Sequence, residues 1–341
     1  MTECSSNNCS SNMCCENTAI KRVTTNLSFK DRFGAFKVRW GIGRSDYTVE
    51  PGLYAVGNPN ESSSVLVSAN YKLTFDTLRK NIYSLKCWLL ILDTKGINVW
   101  CAAGKGTFGT DELINRIEET GLSKLVTHKN IILPQLGASG VNANKVKEKT
   151  GFSVIFGPVR ATDIIAFINA GNKAAKEMRT VKFTMWDRLV LTPMEIVEAA
   201  RISLFVFGVQ FLINLFASRP FGIYDFIIYI ASVLIGSVIT PVLLPFIPGK
   251  AFSFKGWLLG ITGTALIIWS FGWFTPPYLL LATGYLLALP ALSAFIAMNF
   301  TGASTYTSPS GVLKEMKTAL PLIIILLLAG IILILIKTIT G

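Results

Sequence analysis

Histidine is almost absent from this sequence, since His128 is the only one among 341 residues. Any mechanism or metal site that needs two histidines is therefore excluded. No Ser/His/Asp set and no pair of carboxylates on one loop is visible that would support hydrolysis. The six cysteines form no Cys-x-x-Cys pair, which disfavours a zinc or iron–sulfur site in this chain. We expect His128 to be a loop or strand-edge residue.

Acidic residues are also scarce, and they are unevenly distributed. Of 20 acidic residues, only Asp225 and Glu315 lie beyond position 200, where long apolar runs replace the mixed composition. The formal net charge of +12 would permit binding to nucleic acid, which requires clustered Lys and Arg. The basic residues are instead scattered, so we expect no nucleic-acid partner. The composition predicts a globular first part and a membrane-embedded second part.

We predict three regions: a disordered tail over residues 1–20, a soluble domain over 21–190 and a transmembrane domain over 191–341. The tail is rich in Ser and Asn and too polar to form a core. A thiol tail that handles a soft metal ion is the alternative, because the tail contains Cys4, Cys9, Cys14 and Cys15. The polar start lacks the apolar core of a signal peptide, so we expect a cytoplasmic soluble domain with reduced thiols.

Strand-like and helix-like segments alternate through the predicted soluble domain, after an irregular or β-rich lead-in over residues 21–54 to which no role is assigned. Such repeated units predict an α/β, Rossmann-like fold with a ligand site beyond the carboxyl ends of parallel strands. The predicted strands are 64–68, 87–93, 130–133 and 152–156, and the predicted helices are 75–83, 111–118, 142–149 and 161–170. The segments expected at the ligand site are 69–74, 96–106, 134–140 and 157–160.

Five apolar runs follow, each near the roughly 20 residues that a helix needs to cross a bilayer. We predict an all-α membrane domain of five transmembrane helices at about 197–217, 226–247, 252–274, 278–298 and 319–337. Lys and Arg are concentrated before the first span and in the second and fourth loops. The positive-inside rule then predicts a multi-pass protein of the inner (cytoplasmic) membrane with its C-terminus outside. Since the spans hold almost no ionisable side chains, a membrane anchor is favoured over an ion pathway.

The stretch 96–106 (GINVWCAAGKG) follows an apolar strand and contains one cysteine, Cys101. Asn98 is suited to be the N-cap of a short helix over residues 99–105, which would end at the glycines. Two alanines and a glycine beside the thiol leave room for a large ligand. The alternative is that Cys101 is a small buried apolar residue, as we expect of Cys87 at the start of its strand. The residues alone leave both roles of Cys101 open.

Two nucleotide-binding motifs were tested against the same stretch. Residues 104–109 match Gly-x-Gly-x-x-Gly and precede a helix, as in a dinucleotide site. However, about ten residues separate Gly104 from the preceding strand, and the next strand ends in Pro-Gln instead of the acidic residue that binds a ribose. A P-loop is excluded because Lys105 is followed by Gly106 and position 99 is Val. A nucleotide site is therefore disfavoured.

Residues 98–105 (NVWCAAGK) resemble the signature of the mercury-methylating corrinoid proteins of anaerobic bacteria and archaea, and they match it at every position. Residues 70–76 (NYKLTFD) are similar to the corrinoid domain shared with the corrinoid-binding subunit of the corrinoid iron–sulfur protein of the acetyl-CoA pathway. A soluble domain followed by five spans agrees with the mercury-methylating family along nearly the whole chain. The cysteine-rich tail departs from that pattern.

The resemblance implies a corrinoid-binding domain that holds a cobamide with its own base displaced. The thiolate of Cys101 would be the lower axial ligand of cobalt, and the short helix would cap the corrin ring. A histidine-ligated arrangement is not expected, because no Asp-x-His-x-x-Gly motif is present. Lys105 either neutralises part of the cofactor or is a solvated charge at the helix end. The implied cofactor-binding residues are Asn98, Val99, Trp100, Cys101, Ala102, Ala103, Gly104, Lys105, Thr74, Gly137, Ala138 and Ser139.

By resemblance, the protein is a membrane-anchored methyltransferase that moves a methyl group from methyl-cobalt(III) to Hg(II) and forms methylmercury, with Cys101 as its catalytic residue. The implied partners are a dicluster 4Fe–4S ferredoxin-like reductant, a methyltetrahydrofolate-type methyl donor or its methyltransferase, Hg(II) and membrane lipid. No iron–sulfur cluster is expected in this chain itself. The alternatives are a membrane-bound corrinoid carrier or sensor without mercury turnover, and a transporter with a regulatory domain, which the uncharged spans disfavour.

Overall fold

The structure is a computed structural model that describes residues 20–304, 306 and 309–341. Apart from Ile20, the tail predicted to be disordered lies outside the described residues. The chain divides into two compact units. The sheet unit comprises the residues up to Gly34 together with Ser45–Thr180, and the helical unit comprises Ala35–Arg44 and Val181–Gly341. The domain boundaries drawn from the sequence at residues 20 and 190 follow a different division, and they stay predictions.

One mixed sheet forms the centre of the sheet unit. Its strands are β1 (Lys21–Val23), β2 (Gly52–Val56), β3 (Val65–Ala69), β4 (Cys87–Leu92), β5 (Asn130–Leu133) and β6 (Ser153–Phe156). Their order across the sheet is β1-β2-β4-β3-β5-β6. The last four in this order run parallel, as predicted, whereas β2 is antiparallel to β4 and β1 is parallel to β2. The predicted α/β fold is therefore confirmed, with β1 and β2 added from the lead-in.

Helices cover both faces of this sheet. They are α2 (Lys72–Asn81), α3 (Val99–Lys105), α4 (Thr110–Glu119), α5 (Leu122–Leu125), α6 (Ala143–Thr150) and α7 (Ile164–Asn169). The first helix of the chain, α1 (Phe29–Arg39), contributes no residue to the two sheet cores, and it spans the division between the two units at Gly34. Successive residues of a strand point to opposite faces. Val65 and Val67 of β3 therefore pack in one core with Leu113 of α4, while Leu66 packs in the other with Phe75 of α2. Burial on both faces explains why the central strands are continuous apolar runs.

The helical unit consists of long apolar helices. The helices after Thr180 are α8 (Met185–Leu189), α9 (Thr192–Asn214), α10 (Ile223–Leu234), α11 (Thr240–Leu243), α12 (Phe252–Ser270), α13 (Leu279–Asn299) and α14 (Pro309–Thr340). Among the described residues, five segments are long and apolar enough to cross a membrane: Met185–Asn214, Ile223–Leu243, Phe252–Ser270, Leu279–Gly302 and Ser310–Thr340. The prediction of five long apolar helices is confirmed.

The first of these segments begins earlier than the apolar run that predicted it. Thr184 caps α8 through a capping box with Asp187, so the chain is already helical twelve residues before the predicted span at 197. The last segment likewise begins at Ser310, before the span predicted at 319. Hydropathy marks the apolar part of a helix, whereas capping marks where the helix begins, so the two boundaries differ.

Candidate functional site at helix α3

Helix α3 contains Cys101, and both of its ends are defined by local hydrogen bonds. The side chain of Asn98 caps the helix by accepting a hydrogen bond of 2.9 Å from the Cys101 amide. Gly106 ends it in the left-handed conformation, with φ of 83°, and its amide donates to the Ala103 carbonyl. The predicted short helix and its N-cap are confirmed. Cys101 is thereby fixed in the first turn of α3.

Helix α3 has one buried side and one exposed side. The buried residues are Val99, Ala102 and Ala103. The exposed residues are Trp100, with 44 % of its surface accessible, Cys101, Gly104 and Lys105. A Cβ added at Gly104 would have no heavy atom within 4 Å, so this side is open to solvent. Of the two roles left open by the sequence, the structure excludes a buried one for Cys101, whose thiol is exposed.

Asn70 joins the carboxyl ends of β3 and β4 and so positions the turn that leads into α3. Its Oδ1 accepts hydrogen bonds from the Thr94 amide at 3.1 Å, the Thr94 hydroxyl at 2.8 Å and the Gly96 amide at 3.1 Å. Its Nδ2 donates to Asp93 Oδ1 at 3.1 Å. From the sequence, Asn70 was recognised only within residues 70–76, which are similar to a corrinoid domain, and its role in this turn was not predicted. An asparagine directly after a buried strand was the available signal.

The turn between β4 and α3 is also held by charged groups. The Asp93 amide donates to Glu112 Oε1 at 2.8 Å, and Arg116 Nη2 donates to the same oxygen at 2.9 Å. Lys95 donates to Asp93 through its amide at 3.0 Å and through its ammonium at 2.5 Å. Burial alone would raise the pKa of the Asp93 carboxyl, but the hydrogen bonds from Lys95 bring that pKa below its ordinary value. The turn therefore contains a charged carboxylate.

The loop after β5 approaches α3 closely. A Cβ added at Gly140 would lie 2.2 Å from the Phe108 carbonyl oxygen and 3.0 Å from Ala103 Cα. A Cβ at Gly137 would lie 2.5 Å from the fully buried ring of Phe108. Only glycine fits at these two positions, since a side chain would push the loop away from the helix. Gly137 was a predicted site residue, whereas Gly140 was expected only as part of the loop.

The remaining predicted site residues lie in helix α2 and in the turn after β5, and they are less closely connected to α3. Thr74 is half-buried in the first turn of α2, and its amide donates to the Tyr71 carbonyl at 2.9 Å. Ala138 is half-buried and Ser139 is exposed, both in the turn after β5. Within the part of the chain that the structure describes, no hydrogen bond joins Thr74 or Ser139 to α3. Their cofactor-binding role stays a prediction.

The strand order places the loops after β3 and β5 side by side. From β3 the chain crosses to β4 on one side, and from β5 it crosses to β6 on the other. In open α/β sheets, ligands bind in the crevice where the connections diverge in this way. The loops at this crevice begin at Asn70 and Pro134, and α3 follows the adjacent strand. This is the sheet edge at which the sequence analysis expects the ligand.

His128 and Cys87 lie away from this edge: His128 is in the loop two residues before β5, and Cys87 is the first residue of β4. His128 Nε2 is 2.9 Å from the Ser63 carbonyl oxygen, and its Nδ1 accepts from the Asn130 amide. Cys87 is buried in β4, and burial raises the pKa of its thiol to about 12. Among the described residues, no group of three or more His, Cys, Asp and Glu is placed to hold a metal ion. The loop role of His128 and the structural role of Cys87 agree with the sequence analysis.

Comparison with known proteins identifies relatives of the sheet unit. Residues 41–168 match the family described as CO dehydrogenase/acetyl-CoA synthase delta subunit. The chain is 36 % identical over 139 residues to the acetyl-CoA decarbonylase/synthase complex subunit gamma of Methanocaldococcus jannaschii, covering 40 % of this chain and 28 % of the relative. It is 36 % identical over 124 residues to the corrinoid/iron–sulfur protein large subunit of Moorella thermoacetica, covering 36 % and 27 % respectively.

The chain spans about a quarter of the length of the curated relatives that it matches. All twelve predicted cofactor-binding residues lie within the matched range 41–168, and so does Asn70. The helices from Val181 onwards lie beyond it. Over that range, the sheet unit is similar to a CO dehydrogenase/acetyl-CoA synthase subunit and to the large subunit of a corrinoid/iron–sulfur protein.

Proposed function

We propose that the sheet unit binds a corrinoid and that the protein is a membrane-anchored methyltransferase whose methyl acceptor is Hg(II). The observation that carries this proposal is the exposed thiol of Cys101 on a capped helix at the carboxyl edge of the sheet. The name of the Moorella thermoacetica relative supports the corrinoid. The match of residues 98–105 to the mercury-methylating signature supports the narrower choice of Hg(II).

The residues on the exposed side of α3 fit a large, flat cofactor. Gly104 leaves its surroundings open, and the partly exposed ring of Trp100 provides an apolar surface next to the thiol. A cysteine ligates a metal as its thiolate, so Cys101 Sγ is the atom through which the chain would hold cobalt. Thr74 would contact the cofactor from the first turn of α2, and Gly137, Ala138 and Ser139 would contact it from the turn after β5.

The contribution of the chain is to keep the thiolate in one position. When bound, a corrinoid supplies a cobalt ion that carries the methyl group. Asn98 holds the Cys101 amide, and Asn70 holds the turn that leads into the helix. A metal ligand whose position is fixed by hydrogen bonds from surrounding residues needs little reorganisation during the reaction. As the group that would hold cobalt, the Cys101 thiolate would donate electrons to it, which suits transfer of a methyl group to an electrophile such as Hg(II).

The partners and the membrane belong to the same proposal. We infer a dicluster 4Fe–4S ferredoxin-like protein as the reductant of cobalt, and a methyltetrahydrofolate-type donor or its methyltransferase as the source of the methyl group. The five apolar helices would anchor the enzyme in the cytoplasmic membrane. The distribution of Lys and Arg supports a cytoplasmic sheet unit and a C-terminus outside.

The test uses full-length protein in nanodiscs, loaded with cobamide. We expect Cys101→Ala to change the visible spectrum of the bound cofactor and to abolish transfer of a labelled methyl group to Hg(II). The matched control is Cys87→Ala, which removes the buried thiol of β4 and should change neither property. Protein level and cobalt content are measured for all three proteins, so that loss of activity is separated from loss of fold or cofactor.

Two outcomes would contradict parts of the proposal. An identical spectrum in wild type and Cys101→Ala would remove Cys101 as the cobalt ligand. A spectrum that depends on Cys101, without any methylmercury formed from Hg(II), would refute the methyltransferase and favour a corrinoid carrier or sensor.

A further inference from the structure

Helix α1 and the residue after it carry an aromatic stripe, defined here as Phe29, Phe33, Phe36 and Trp40, in which Trp40 is half-buried. The three phenylalanines are 82 %, 53 % and 57 % exposed in this order. Trp40 follows the helix directly, and its amide still bonds to the Phe36 carbonyl at 3.3 Å. Steps of three and four residues place all four rings on one side of the helix. All four rings lie in the lead-in over residues 21–54, to which no role was assigned from the sequence.

The aromatic rings of the stripe form two pairs, and the three phenylalanine rings remain exposed. Phe29 stacks on Phe33 with ring centroids 6.1 Å apart, and Phe36 contacts Trp40 at 6.1 Å. Single exposed aromatic residues are common on soluble proteins, but a continuous exposed apolar patch usually marks an interaction surface. The stripe is therefore a candidate surface for a membrane or a partner protein.

The first half of α1, up to Gly34, is attached to the sheet unit on the side opposite the stripe. Asp31 accepts hydrogen bonds from Lys72 Nζ at 2.7 Å and from Arg79 Nη2 at 2.8 Å. Gly34 lies against Tyr47, where a Cβ would come within 2.5 Å of the phenolic oxygen. Rotation of α1 to bury the stripe would break both contacts. The aromatic rings are thus held outward by the fold.

Basic side chains flank the aromatic stripe on both sides. With a step of about 100° per residue, Lys30 and Lys37 lie roughly 80–100° to one side of Phe29, and Arg32 and Arg39 lie roughly 60–80° to the other. The one acidic residue of the helix, Asp31, is on the opposite side. Aromatic rings bordered by Lys and Arg are typical of helices that lie in a membrane surface, where the basic groups reach anionic headgroups.

We propose that α1 is an interfacial helix whose aromatic stripe binds the anionic lipid surface of the membrane that anchors this chain. Lipid is favoured over a protein partner because both flanks are basic and no carboxylate shares that side. The chain also contains five helices that are long and apolar enough to cross a membrane, so a lipid surface is a ligand that this protein would meet. This binding requires neither the cofactor nor Hg(II), so it stands independently of the proposed reaction.

The test places a photoreactive benzoylphenylalanine at Phe33 in the full-length protein in nanodiscs. The matched control carries it at Tyr83, an aromatic residue of the sheet unit outside α1 that is 73 % exposed. In bilayers of phosphatidylcholine with phosphatidylglycerol, we expect at least about ten times more lipid adduct at position 33 than at position 83. Most of this difference should disappear in pure phosphatidylcholine, or when Lys30 and Lys37 are changed to Gln.

A second measurement guards against a photoreactive variant that folds poorly. The fluorescence of wild type minus that of Trp40→Phe isolates Trp40, and brominated lipid should quench this difference signal. Equal lipid adducts at positions 33 and 83, or no quenching of Trp40, would overturn the proposal. Adducts from position 33 to protein, whether a second copy or another part of the same chain, would also overturn it and identify a protein-binding face.

Discussion

Replacing Asn70 with alanine should loosen the turn that leads into α3 while the sheet stays folded. The side chain of Asn70 is only 5 % exposed and receives three hydrogen bonds from Thr94 and Gly96 across the ends of β3 and β4. Alanine leaves the amides of Thr94 and Gly96 without this acceptor. Because Thr94 is fully buried, water cannot readily replace the lost bond there.

The expected size of the effect follows from these contacts. A buried donor without a partner costs about 1–3 kcal/mol, and the half-buried Gly96 amide should cost less than that of Thr94. We therefore expect the free energy of local opening at residues 93–97 to fall by about 2–3 kcal/mol. Since about 1.4 kcal/mol is a factor of ten, these amides should exchange hydrogen roughly 30 to 150 times faster.

Hydrogen exchange of the full-length protein in nanodiscs, followed by mass spectrometry, measures this opening. The control is Asn81→Ala, which removes a hydrogen bond of 2.8 Å from Asn81 Nδ2 to the Thr77 carbonyl at the exposed end of α2. That change should alter stability by less than about 0.5 kcal/mol and leave residues 93–97 unaffected. Wild-type exchange at these residues in Asn70→Ala, or the same acceleration in the control, would refute the positioning role of Asn70.

Three further predictions concern the thiols, the glycines and the acidic pH range. In folded protein at pH 8, iodoacetamide should modify Cys101 and spare Cys87. Cys87 is buried, and a pKa of about 12 leaves only about one part in 10⁴ of its thiol as thiolate. Equal labelling of the two cysteines in mass spectra would contradict this prediction. Gly140→Ala should cost at least about 2 kcal/mol in thermal unfolding, whereas Gly104→Ala, with open space around its Cβ, should be neutral or stabilising by up to about 1 kcal/mol. Burial alone would raise the pKa of Asp31, but its hydrogen bonds hold that pKa well below the usual range. Its stabilising contribution is therefore complete above about pH 5 and is lost as the pH falls through the folded-state pKa. Asp31→Asn should flatten this acid-side loss when the free energy of unfolding is measured against pH.

The sheet and the apolar helices were predictable because their signals are local. A strand buried on both faces must be an apolar run, as in residues 87–93, and a membrane-length helix must be a longer one. The cap of α3 was predictable for the same reason, because Asn98 and the amide it accepts from are three residues apart. Helix α1 was not predicted, although its aromatic residues recur at steps of three and four. Basic residues and Gly34 between them obscured this apolar pattern.

The amino-acid sequence by itself determined the alternation of strands and helices after residue 64, the five apolar segments and the helix that contains Cys101. Only the tertiary structure decided that the Cys101 thiol is exposed, that Asn70 holds a turn more than twenty residues further along the chain, and that Gly140 lies against α3. The physical reason is the range of the interactions. Hydropathy and capping act between neighbouring residues, whereas exposure and close approach depend on how distant segments pack together.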